Sequence, residues 1–61
     1  MLFDKDVKLT IENDYIIVYL KDELFLKQKI LKQTGDNNKN IDYTFFYVSL
    51  ILQKFGLVYF S

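Results

Sequence analysis

Apolar and polar residues alternate over Val7-Lys8-Leu9-Thr10-Ile11, the period-two signature of a strand with one face in water. Glu12-Asn13-Asp14 supplies turn chemistry, and Tyr15-Ile16-Ile17-Val18-Tyr19-Leu20 is apolar or aromatic throughout. The pair reads as an antiparallel hairpin. Its second strand is apolar on both faces, so it needs cover on each side, and an open edge there would invite pairing with another chain.

From Asp22 to Thr34 the alternation is lost. Glu23, Leu24, Leu26, Lys27, Gln28, Lys29, Leu31, Lys32 and Gln33 are good helix formers. Asp22 suits an N-cap, Glu23 stands four residues before Lys27, lysines close the segment and Gly35 offers a C-cap. The apolar stripe is imperfect: Leu20, Leu24, Leu26, Ile30 and Leu31 share an arc of about 160°, but Glu23 and Lys27 intrude and Phe25 falls outside. Period two sorts the segment no better. Propensity and capping therefore predict a helix over 22–34, followed by a polar loop at Gly35-Asp36-Asn37-Asn38-Lys39-Asn40.

The last segment, residues 41–60, supports two readings. Asp42 is placed to cap a helix running to Phe55, with Gly56 as its stop and Leu57-Val58-Tyr59-Phe60 as a short strand. Tyr43-Thr44-Phe45-Phe46-Tyr47-Val48 instead has the composition of a central strand. As a helix the segment carries large side chains in every direction, and such a helix must be buried by more than one neighbour. The expected fold is α+β within one small domain, 1–61: an N-terminal β-hairpin, open to widening into three strands by the C-terminal segment, packed against one or two helices. The competing arrangement is almost all β.

Size makes this a demanding fold. A chain of 61 residues removes only about 60% of its extended surface on folding, and domains of this length commonly lean on a disulfide, a metal or a partner subunit. The sequence contains neither Cys nor His, so the usual ligands and the commonest general base are missing. Two glycines do not make a phosphate-cradling loop. Ser49 and Ser61 have no evident base, and the Asp4/Asp6 pair and Asp36-Asn37-Asn38 lack the later bidentate Glu of a calcium loop. No catalytic residue, metal or cofactor is expected. The acidic start, Asp4-Lys5-Asp6, is unlike a signal peptide, which makes the cytoplasm the default location. Residues 43–52 are too short a run for a membrane span, which needs about 20 residues.

Ala, Arg, Pro and Trp are also absent, while Lys, Asn, Ile, Tyr and Phe abound, a bias that reads as AT-rich coding of the kind associated with mobile elements. Formal charge is zero, yet residues 1–23 carry six acids against Lys5, Lys8 and Lys21, whereas residues 24–40 carry Lys27, Lys29, Lys32 and Lys39 against Asp36 alone. Such a dipole suits oriented association. Val48-Ser49-Leu50-Ile51-Leu52-Gln53-Lys54-Phe55-Gly56-Leu57-Val58-Tyr59-Phe60 resembles the close of a winged helix-turn-helix recognition helix and the strand leading into its wing. That resemblance implies a minimal nucleic-acid-binding regulator in which Lys27, Lys29, Lys32 and Lys39 contact phosphates. The segment departs from the family in carrying mainly Phe, Tyr, Val, Ile and Leu where basic and polar side chains belong. Zero net charge and the lack of Arg also disfavour nucleic acid as the partner.

The remaining class is protein binding. Eleven aromatic residues, all Phe or Tyr, exceed what so small a domain hides with ease, and seven of them lie within residues 43–60. Tyr combines an apolar body with a polar tip and suits partly buried interface positions. Tyr43, Phe46, Tyr47, Phe55 and Tyr59 are the expected anchors of a non-catalytic interaction module. Its partner is either a second copy or a larger protein to which it is an accessory or inhibitory subunit.

Overall fold

A computed structural model describes residues 2–59. The alternating segment forms β2 (Val7–Glu12) and its apolar neighbour β3 (Tyr15–Leu20). They pair antiparallel, with Leu9 opposite Val18 and Ile11 opposite Ile16. Asn13 and Asp14 join them with φ of 45° and 63°, the left-handed pair whose twist matches the strands of a two-residue hairpin. Lys21 and Asp22 repeat that geometry, with φ of 52° and 65°, and the chain folds back as β4 (Glu23–Lys29). The sheet order is β2-β3-β4, antiparallel throughout.

The helix expected over 22–34 is therefore replaced by a strand, and Asp22 is a turn residue instead of an N-cap. Two physical causes account for the difference. Ile16, Ile17 and Val18 are all buried, so β3 requires a hydrogen-bonded neighbour on each edge, a tertiary demand that outweighs the small helix propensities of Glu, Leu, Lys and Gln. The alternation of β4 is also broken by a bulge: Val18 opposes Leu26 whereas Tyr19 opposes Leu24, so Phe25 is an extra residue. Beyond it the period is plain, with Leu26 and Gln28 half-buried and Lys27 and Lys29 exposed.

Helix α1 (Asn37–Lys54) begins inside the expected loop. Its N-cap is Asp36, not Asp42: the Asp36 carboxylate accepts from the Asn38 N–H at 3.0 Å. The end is as expected, with Gly56 at φ 73°. Gly56 N–H donates to Gln53 O and Leu57 N–H to Leu52 O, both at 3.0 Å, the paired bonds of a Schellman stop. The chain then forms β5 (Val58–Tyr59), which pairs antiparallel with β1 (Leu2–Phe3) in a separate two-stranded ribbon and does not join the hairpin. Phe60, the last residue of the expected strand, lies outside the described residues. The fold is α+β: a three-stranded antiparallel sheet, a second small sheet and, among the described residues, one helix.

Ile16, Val18, Ile30, Val48, Leu52 and Val58 form the buried cluster. Phe3, Leu9, Leu26, Ile41, Phe45 and Leu57 pack around it, and the Phe3 and Phe45 rings meet edge to face at 5.9 Å. Helix α1 thus covers the sheet face presented by Leu9, Ile16, Val18 and Leu26. Among the described residues no element covers the opposite face. There Ile17 is buried between the half-buried Tyr15 and Tyr19, with Thr10 and Lys27 as its cross-strand partners. The Lys27 ammonium stands 4.6 Å from the centre of the Tyr15 ring, a geometry that lays the lysine stem along apolar surface.

Candidate interaction surface

Helix α1 advances about 100° per residue, so positions three and four apart share a face. Its inward face holds Asn40, Thr44, Val48, Ser49 and Leu52, three of them polar. Their hydrogen bonds explain the choice. Asn40 Oδ1 accepts from Gln33 N–H at 3.0 Å and Thr34 N–H at 2.9 Å, while its Nδ2 donates to Thr34 O at 3.0 Å. The Thr44 hydroxyl accepts from Leu31 N–H and donates to Asn40 O, each at 2.8 Å. These contacts satisfy the backbone of the extended connection between β4 and α1, which has no strand partner of its own.

The outward face shows the reverse chemistry. Tyr43, Phe46, Tyr47 and Leu50, spaced three and four apart, are 61%, 55%, 45% and 40% exposed. Asp42 and Lys54 lie exposed toward the two ends of this stripe, and Lys39 is exposed in the first turn. Beside the N-terminal half, Thr34, Lys39, Asp42, Tyr43 and Phe46 line a shallow hollow of about 460 Å³. The helix thus turns amide and hydroxyl groups inward beside the core residues Val48 and Leu52, while the Tyr43, Phe46 and Tyr47 rings face outward. The connection between β4 and α1 satisfies the polar groups of the inner face; among the described residues nothing covers the outer one.

The five residues expected as anchors fall in three places. Tyr43, Phe46 and Tyr47 share the outer stripe. Phe55 lies past the helix end with its ring edge-on to Phe25 at 5.3 Å, where the bulge in β4 places that residue. Tyr59 stands opposite Leu2 in the small ribbon, and both are exposed. Leu50 belongs to the stripe and was not among the expected anchors; its spacing of three from Tyr47 and four from Phe46 is the signal that marks it. Exposed Leu24 and Phe25 are not marked by the sequence, whose propensities favour a helix over this segment.

The lysines expected to contact phosphate do not share one face. Lys27 and Lys29 point from β4 to the sheet face away from α1, Lys32 lies in the connection and Lys39 on the helix. The helix, Gly56 and short strand that carry the helix-turn-helix resemblance are present, but the segment before them contributes a strand where that arrangement needs a helix. Among the described residues no group of three or more Asp or Glu side chains is placed to hold a metal, and no helix is long and apolar enough to cross a membrane. Compared with protein families, curated proteins and solved structures, the chain matches none.

Proposed function

We propose that this chain is a small, non-catalytic interaction module whose binding element is the outer face of α1. One observation carries the reading: the helix exposes Tyr43, Phe46, Tyr47 and Leu50 while burying Asn40, Thr44 and Ser49. The four apolar side chains leave roughly 400 Å² in water, the size of the largest apolar patch on an ordinary monomer and often a functional one. Rigid aromatic anchors on one regular element are also the form that binding hot spots take.

A photo-crosslinking amino acid placed at Phe46, compared with one at Thr10 on the far side of the sheet, tests the proposal in cells that express the chain. Crosslinks to a protein are expected from position 46 and not from position 10. Equal labelling from both positions, or none from 46, would remove the helix face as the binding element.

A further inference from the structure

Resting on that reading, we infer that the occupant of the α1 face is a second copy of the same chain, packed antiparallel about a two-fold axis at the level of Val48. A two-fold contact is self-complementary, each residue meeting the one equally far beyond the axis. Three pairs on the outer face share one midpoint: Asp42 with Lys54, Tyr43 with Gln53 and Phe46 with Leu50. The first sets acid at the level of base, the second a phenol at the level of an amide, and the third apolar against apolar. Asp42 and Lys54 are separated by about 18 Å along each helix, so one antiparallel docking forms both charge contacts at once.

The charges favour this orientation over a parallel one. Among the described residues the one ion pair joins Lys8 to Asp22 at 3.0 Å, so neither Asp42 nor Lys54 is held in an ion pair there. Parallel packing would set Lys39, Asp42 and Lys54 each beside its own copy and align the two helix dipoles. Antiparallel packing opposes the dipoles and carries Lys39, poorly placed in the first turn of its own helix, to the negative C-terminal end of the partner helix.

Size agrees with a modest affinity. The apolar stripes with their polar flanks would bury on the order of 1,200 Å² across both copies, the lower end of specific interfaces, and self-association in the micromolar range is the expectation to be tested. Zero formal charge leaves no long-range repulsion between copies.

Sedimentation equilibrium from about 1 to 300 μM is the test, with circular dichroism to establish folding of each variant. Wild type is expected to pass from monomer to dimer, and Phe46→Glu to remain monomeric. Asp42→Lys and Lys54→Asp should each weaken self-association at least about tenfold, since each sets like charges together twice. An equimolar mixture of those two variants should dimerise as wild type does, because every charge contact is then complementary. A mixture no tighter than its components overturns the proposed pairing. Wild type that stays monomeric throughout, while position 46 crosslinks to a protein of a different mass, overturns the second copy and leaves the binding face standing. A dimer indifferent to Phe46→Glu overturns both.

Discussion

Thr44 illustrates how single side chains hold this fold together. Its hydroxyl is fully buried and serves two backbone groups, the Leu31 N–H and the Asn40 carbonyl. Valine has the same shape without the oxygen, so Thr44→Val leaves the packing in place and the Leu31 N–H without its acceptor. Such an orphan costs about 1–3 kcal/mol. The variant should unfold at correspondingly lower denaturant, and the Leu31 amide should exchange with solvent faster than in wild type. An unchanged Leu31 exchange rate would show that this hydrogen bond is not what protects it. Gly56 is a different case: nothing stands within 4 Å of where its Cβ would lie, so glycine is required there by its φ of 73° alone.

Among the elements, the second turn holds the positive-φ residue least suited to it, since Asn13, Asp14 and Asp22 are of types that tolerate that conformation and Lys21 is not. Lys21 adopts φ of 52°, a conformation that disfavours long side chains and suits Asn or Gly. Lys21→Asn should raise stability by about 0.5–1 kcal/mol, read as a higher urea midpoint with an unchanged slope. A lower midpoint would mean that the lysine makes compensating contacts. The same turn explains why β4 was illegible while the first hairpin was clear. Asn13-Asp14 announces a two-residue turn, whereas Lys21-Asp22 resembles the start of a helix, and the bulge at Phe25 erases the period that would have corrected the impression. The stop at Gly56 was readable because a positive φ selects a residue type. The start at Asp36 was hidden among residues that suit a loop equally well, and the ribbon between β1 and β5 joins chain ends that carry no signal for each other.

At the scale of the molecule, a small core supports a large surface. The accessible area is 4509 Å², against about 4,200 Å² for a compact monomer of this mass. At 0.05–0.15 kcal/mol per residue, total stability is about 3–9 kcal/mol. Leu52 is fully buried within the cluster, and Leu52→Ala should remove about 2–5 kcal/mol, read as a lower urea midpoint by circular dichroism. Phe46→Glu, measured under dilute conditions, should change stability by less than about 0.5 kcal/mol, since the ring is exposed. A large loss there would place Phe46 among the residues that hold the monomer together. This contrast also separates what was legible from what was not: an aromatic surplus in the last third can be counted from composition, but which rings stay in water depends on how α1 is turned about its axis. That turn has a mechanical origin. An apolar helix resting on an apolar sheet is free to roll, whereas directional bonds from Asn40 and Thr44 to the main chain of Leu31 and Thr34 act as a key in a slot. The bearing of the ring stripe is thus decided on the hidden side of the helix, and changes made beneath it can re-aim the rings without altering any one of them.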